Sequence, residues 1–428
     1  MKLEKPENQN YCATVVQIKN ILPLENCDNV VATTIFGFQA IVPKSTQVGD
    51  VGIVFTAETQ LSDEYSKHNN LYRHSEKNLD QNAKGYIEDN RRVRAVKFRG
   101  HTSSCFFMPV ESLSFAAKVS DIAWLKDNVG SEFDVLNGTE ICKKYVVPRA
   151  DMRQREVQAK KRFNRVEDKH MPEHIDSDNY HKWGDTIPGD REVIVTQKLH
   201  GTSIRIGHTI AKRKLSWFET VLKKLGVAIE ETTHDYIYGS RKVIKDINNP
   251  YQDHYYGSDI WTREGERVNG LLPQNYIVYG ELVGFSGEAP IQKNYTYDAE
   301  PGKAELYVYR VAIVNNDGHL TDLAWDHVKE FCAQVGIKHV PEVWRGKRAE
   351  FNVESWMDIR YRDQLAGVVG ARCVSLSHPD TVDEGVCVRV DGIRPRILKA
   401  KCAKFFEYET KMLDEGATDL EADGAVTS

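Results

Sequence analysis

No apolar run in this sequence approaches the ~20 residues that a membrane-crossing helix requires. The opening stretch, MKLEKPENQN, lacks the apolar core of a secretory signal. A membrane-bound or exported protein is therefore not expected. The eight cysteines (Cys12, Cys27, Cys105, Cys142, Cys332, Cys373, Cys387 and Cys402) are scattered, with no C-x-x-C pair among them. That argues against a zinc ribbon and predicts reduced thiols in a cytoplasmic compartment. Overall positive charge is also missing: 57 Lys and Arg face 62 Asp and Glu, for a net charge of −5. The average gives no sign of a nucleic-acid binder. Internal repeats and low-complexity tracts are absent as well.

What is present is a chain of 428 residues, 41% apolar and 28% charged. This is a soluble composition, too long for one ordinary core, so two domains are expected. The charge is unevenly spread. Residues 143–165 carry nine Lys and Arg against two acids, while 414–428 carry five acids and no base. Clusters of this kind steer phosphate-rich partners even when the mean charge does not.

Residues 11–57 read as short strands in YCATVVQI, NVVATTIFGFQAIVP and VGIVFTAE, followed by a polar loop and two more strand-like runs. About five strands in this span predict an OB-like β-barrel module over 1–115. In RRVRAVKFRG, Arg92, Arg94, Lys97 and Arg99 interleave with Val93, Val96 and Phe98. The pattern suits either a solvated strand face or a groove that tracks phosphates. Residues 116–190 read as a connector carrying the basic block. His170 and His174 have the spacing of a helical metal pair, but Pro172 between them argues against a helix, so no metal site is expected there.

From 191 onward, strands such as EVIVT, YIVYGELVG, AELYVYRVAIV and EGVCVRV mix with helices. One helix is predicted between Thr321, as N-cap, and Gly336, as the stop. Another, KLSWFETVLKKLG, puts Leu215, Phe218, Leu222 and Leu225 on one stripe. The fold class is α+β, with an acidic tail over 414–428.

Five patches after 190 carry chemistry. Lys198 ends a strand and runs into His200, Gly201, Thr202 and Ser203; an ammonium at a buried strand end is costly unless it is paired or used. Arg241 in YGSRKV is a fork suited to phosphate or carboxylate. Glu281 ends a strand before a glycine-rich loop, and Glu384 opens one. Lys399 and Lys401 stand two apart, on one face of a strand. Together they suit a nucleoside triphosphate and a metal.

The series resembles the covalent nucleotidyltransferase superfamily. Lys198-x-His200-Gly201 is similar to its nucleophile motif, Glu281 and Glu384 to its two acidic motifs, and Lys399-x-Lys401 to its final pair. KLHGTS, GELVG…IQKN and LYVYRV are most like the ATP-dependent RNA ligases, specifically over 194–405. Over 11–115 the resemblance is weaker, to the branch with an OB module ahead of the ligase domain. It implies a catalytic domain over 191–413, built on antiparallel sheets with flanking helices. It also implies a lysyl-AMP intermediate on Lys198, ATP held by Lys198, His200, Gly201, Arg241, Glu281, Lys399 and Lys401, and adenine against Tyr309. Glu384 and Glu281 would hold Mg2+ or Mn2+. RNA with a 5′-phosphate and a 3′-hydroxyl would be the partner of a monomeric enzyme. Many superfamily members have Asp where His200 stands. DNA ligases and capping enzymes share the lysine chemistry but usually carry an OB domain after the last lysine pair, where 27 residues follow Lys401 here. A non-catalytic RNA-binding scaffold is the remaining alternative.

A free lysine has a pKa of about 10.4, so roughly one amine in 2,500 is neutral at pH 7. Nearby cations, such as Lys399, Lys401 and a metal, lower that barrier.

Overall fold

β-branched and aromatic runs become strands throughout the computed structural model, which describes residues 1–146, 165–245 and 259–415. The architecture is mixed α/β, rich in sheet, with short helices. It divides into two units, one comprising Met1–Val147, Asp178–Thr186 and Lys401–Thr418, the other Pro148–Ser177, Ile187–Ala400 and Asp419–Ser428. The basic block between 147 and 164 and the acidic tail beyond 415 lie outside the described residues.

In the first unit, strands Glu132–Phe133, Ala13–Gln17, Val51–Thr56 and Cys105–Pro109 lie side by side in that order, all antiparallel. A hairpin pairs Val30–Ile35 with Phe38–Pro43. Its turn needs positive φ at both central residues, Phe36 (52°) and Gly37 (78°). Among the described residues these strands do not join into one closed barrel. The stretch expected to be a polar loop contains helix Asp63–His68. It begins where the Ser62 side chain accepts from Tyr65 N, and it buries the Tyr65 ring.

The last helix, Ala403–Asp414, belongs to this unit and completes its core. Phe406 packs with Val16, Ile35, Phe38, Ala40 and Val54, its ring 5.0 Å from that of Phe38. The same helix takes up part of the basic run. Arg92, 2% exposed, pairs with Glu58 at 3.2 Å and Asp414 at 3.1 Å, and donates to Thr410 O. Arg94 reaches Asp414 at 3.5 Å, and Lys97 pairs with Glu407 at 2.7 Å. Arg99 donates to Asn26 O. Arg92 is thus a core residue with protein partners, while Lys97 and Arg99 stay exposed beside theirs. Only Val96–Phe98 of the run forms a strand.

The second unit is built on two sheets. In one, strand Glu192–Lys198 lies between Gly385–Val390 and Glu342–Lys347, with Arg396–Lys401 beyond Gly385–Val390. Residues 193–197 are all buried, which explains the unbroken VIVT run. The other sheet runs Thr232–Gly239, Thr202–Lys212, Tyr276–Ser286, Ala304–Val314 and Leu320–Asp322. Helix Trp325–Val335 buries Val328, Phe331 and Cys332 and stops at left-handed Gly336. Thr321 is not its N-cap but a strand residue; Trp325 N donates instead to Asp391 Oδ2, 66 positions away.

Candidate active site

The chain changes sheets at the opening motif. Strand Glu192–Lys198 ends on Lys198, Leu199-His200-Gly201 cross over, and Thr202 begins the second sheet. Lys198 pairs with Gly385 in the ladder, which sets Glu384 beside it. The Lys198 Nζ lies 2.8 Å from Glu384 Oε1, with side-chain exposures of 13% and 1%. A lysine left at a buried strand end thus has its partner, which answers the desolvation cost.

Glu281 holds the crossover from the other sheet. It stands opposite Ser203, and its two oxygens accept from Gly201 N at 3.1 Å and Ser203 Oγ at 3.3 Å. A Cβ at Gly201 would sit 2.0 Å from Leu282 O, so the backbones approach closer than any side chain allows. Residues 291–297 brace His200 and Gly201. Gln292 Nε2 donates to Gly201 O at 2.9 Å, and the Tyr297 hydroxyl accepts from His200 N at 2.7 Å. The His200 ring meets Tyr295 edge-on at 5.0 Å, and the Tyr295 hydroxyl donates to Val382 O, two residues before Glu384.

Cys387, one turn of the pleat beyond Glu384, reports which charges converge. Burial pushes its thiol up to about 11; Lys198 and Lys399 pull it down, while Glu384 and Glu281 push it up. Four of the residues expected from sequence therefore act on one sulfur. Lys399 and Lys401 share a face of strand Arg396–Lys401, with Leu398 and Ala400 buried on the other. Lys401 pairs with Glu409 at 3.1 Å.

Arg241 forms an ion pair with Asp176. Its turn is fixed from beneath by Arg205, 1% exposed, which donates to Ser240 O, Lys242 O and Met171 O at 3.1, 2.9 and 2.6 Å. Tyr309 shares a 2.5 Å hydrogen bond with His174 Nδ1. Burial raises its phenol well above the ordinary range, with Glu281 raising it further and Arg241 opposing. Tyr309, Arg241 and Glu281 thus lie near one another. His174 serves this tyrosine, while His170 bonds to Asn316 O at 2.8 Å; the two histidines do not form a pair.

Sequence reasoning missed Gln197 and Asp383, each one residue from a charged partner. The Gln197 amide donates to Val374 O and Asp383 Oδ1 at 2.9 and 2.6 Å and accepts from Val374 N at 2.8 Å. The other Asp383 oxygen accepts from Tyr361 N at 2.7 Å. Alternation turns Gln197 away from Lys198 within its strand, and its bonds to Val374 and Asp383 tie the strand end to the segment that leads into Gly385–Val390. A neutral amide inside an apolar strand gives no signal of this.

Glu281 and Glu384 offer the hard oxygen donors that Mg2+ and Mn2+ take. Among the described residues, no group of three or more His, Cys, Asp or Glu could hold an ion by itself. The two carboxylates suit an ion that keeps most of its ligands as water or substrate phosphate.

Residues 191–401 match the family model described as RNA ligase. Among solved structures, a mutant of Naegleria gruberi RNA ligase with ATP and Mn aligns at 14% identity and a TM-score of 0.55, covering 94% of this chain and 98% of that one. The same organism's RNA ligase with PPi gives 14%, 0.55, 93% and 98%, and another mutant with AMP and Mn gives 14%, 0.56, 92% and 98%. At such identity the likeness concerns the fold. No curated protein sequence matches significantly.

Proposed function

We propose that this chain, whose residues 191–401 match the RNA ligase family model, is an ATP-dependent RNA ligase whose nucleophile is Lys198. The observation that carries this reading is the Lys198–Glu384 pair, 2.8 Å apart, where the chain crosses between sheets. The similar Naegleria enzyme has been captured with ATP, Mn, AMP and PPi, which are the reactant, metal and products of the first step proposed here.

The Lys198 amine attacks the α-phosphorus of ATP; a P–N bond forms, the P–O bond to pyrophosphate breaks, and AMP stays on the lysine. Before attack the ion pair must part, and the Glu384 carboxylate is the nearest base to take the amine's proton. AMP then passes to an RNA 5′-phosphate, and a 3′-hydroxyl displaces it to join the strands. Lys399 and Lys401 counter charge at the α-phosphate. Glu281, partly exposed, turns its remaining lone pairs to a ribose hydroxyl or a metal-bound water while holding Gly201. Arg241 releases Asp176 for phosphate, and Tyr309 lines the adenine side. Glu384 and Glu281 would hold a divalent ion, which when bound would supply electrostatic stabilisation of the phosphates.

The first unit is read as an OB-like module that positions RNA, and its four antiparallel strands support that reading. The free cysteines among the described residues are in keeping with a cytoplasmic enzyme, which we read as a monomer. None of the described helices is long and apolar enough to cross a membrane. The test is incubation with α-labelled ATP and Mg2+ or Mn2+, then with end-labelled RNA or DNA. Covalent label on the wild type, none on Lys198→Ala and joining of RNA ends are expected; label persisting on the variant overturns the assignment.

A further inference from the structure

Helix Trp217–Lys224 stands in the excursion between strands Thr202–Lys212 and Thr232–Gly239, and the mechanism makes no use of it. It is well formed. Ser216 Oγ accepts from Glu219 N, and the Glu219 carboxylate accepts in return from Ser216 N at 2.8 Å, a closed capping box. Its apolar stripe is only half used: Leu215 and Leu222 are partly covered, but no residue of the helix is buried. Trp217 is 79% exposed and Phe218 56%, and their rings meet edge to face at 5.9 Å. At 100° per residue, Lys224, Trp217, Val221 and Phe218 fall within about a third of the circumference.

The charge around this face has one sign. Glu219, the single acid between 212 and 224, is taken by Arg213 at 2.6 Å, and Lys223 pairs with Glu231 at 2.5 Å. Lys214 and Lys224 are exposed, and among the described residues no carboxylate lies within ion-pair distance of either. Two unstacked aromatic rings flanked by two uncompensated ammonium groups fit a flexible polyanion with flat apolar faces. Single-stranded nucleic acid has that chemistry, since phosphates answer the lysines and bases stack on the rings.

We propose that helix Trp217–Lys224 is a docking platform for unpaired RNA, with bases stacked on Trp217 and Phe218 and phosphates at Lys214 and Lys224. This rests on the reading of the chain as an RNA ligase and adds the part of the protein that grips the strand away from the reacting ends.

The experiment uses the full chain and a 5′-phosphorylated single-stranded RNA of about 20 nucleotides. Tryptophan fluorescence and ultraviolet crosslinking read binding, α-labelled ATP reads lysine labelling, and joining assays give KM for RNA. Trp217→Leu with Phe218→Leu keeps the apolar area and helix propensity but removes the flat rings. This variant is expected to bind RNA about tenfold more weakly or worse, to raise KM for RNA in proportion, and to label with AMP at the wild-type rate. Lys214→Ala with Lys224→Ala is expected to lower the salt dependence of binding by about two phosphate contacts. RNA affinity and crosslinking unchanged in both variants would overturn the platform, even if AMP labelling proceeds normally. So would binding that survives the leucine pair and follows anionic vesicles instead of RNA, which would mark an apolar docking face. Failure of the wild type to label with AMP would overturn the ligase reading separately, because RNA binding is measured without it.

Discussion

Glu384 approaches Lys198 to 2.8 Å while being almost wholly withdrawn from water, whereas Glu281, from the other sheet, grips the backbone of Gly201 and stays partly exposed. The two carboxylates are therefore not equivalent. The buried one is matched to the amine, the less buried one to the crossover.

From that difference, Glu384→Gln leaves the amine without its anionic partner and removes the nearest base. Lysine labelling from α-labelled ATP is expected to slow on the order of 100-fold or more. Glu281→Gln, which retains one acceptor for Gly201 N, is expected to slow labelling less than Glu384→Gln does and to raise the Mn2+ concentration that labelling requires. Equal loss in both variants, measured by single-turnover labelling over a range of Mn2+, would contradict the division.

Gly201→Ala places a methyl 2.0 Å from Leu282 O. Backbone cannot yield as a side-chain tip does, so the crossover must shift and take Lys198 out of register. Labelling is expected to fall by at least tenfold, since small misplacements near a reacting centre are costly. Thermal unfolding should change far less than activity.

Asp383→Ala strips partners from the Gln197 amide and from Tyr361 N, both buried. Each unsatisfied group costs about 1–3 kcal/mol, and both strand ends lose their clamp. Reduced urea stability together with a lower labelling kcat at unchanged KM for ATP is expected. A change confined to KM would mean that the residue meets ligand directly.

Arg92→Ala leaves the buried Glu58 carboxylate uncompensated and frees Asp414. Removal of one member of a buried ion pair typically costs about 3–5 kcal/mol. Chemical denaturation should show the loss, and Arg92→Met combined with Glu58→Gln should recover part of it. An unaltered midpoint in the single variant would show that this cation does not anchor the last helix.

Burial pushes the Asp134 carboxyl up to about 6. Its folded-state value exceeds the unfolded one, so its contribution is complete below about pH 4 and is lost as pH rises through 6. Asp134→Asn retains an acceptor for Glu7 N and does not titrate. Its stability relative to wild type is expected to improve between pH 4 and 7, as followed by thermal melts across that range; a constant difference would refute the shift.

Lys198 and Glu384 stand out in the sequence because an ionic residue at a strand's end or start conflicts with its apolar surroundings; Glu281, expected to end a strand, lies instead in the middle of Tyr276–Ser286. Local alternation likewise gave the shared face of Lys399 and Lys401. What escaped depends on distance along the chain. Nothing near Arg92 and Lys97 signals that Thr410 and Asp414 meet the one and Glu407 the other from more than 300 positions away. Helix Trp325–Val335 was legible in period but not in its start, because Asp391 caps it from another strand. The half-covered stripe on helix Trp217–Lys224 shows the converse: periodicity marks a face as apolar without saying what covers it.

The Leu199–Gly201 crossover has a consequence for how this protein can vary. Three residues, each held at its backbone or by its packing, carry the chain from one sheet to the other with no slack. One additional residue would rotate the outgoing strand by half a pleat and exchange its inward and outward faces. Tolerance of insertions should therefore collapse at this link and return in the excursion after Lys212. A library of single-codon insertions, scored for survival of function, would draw that contrast as a sharp notch beside a broad plateau.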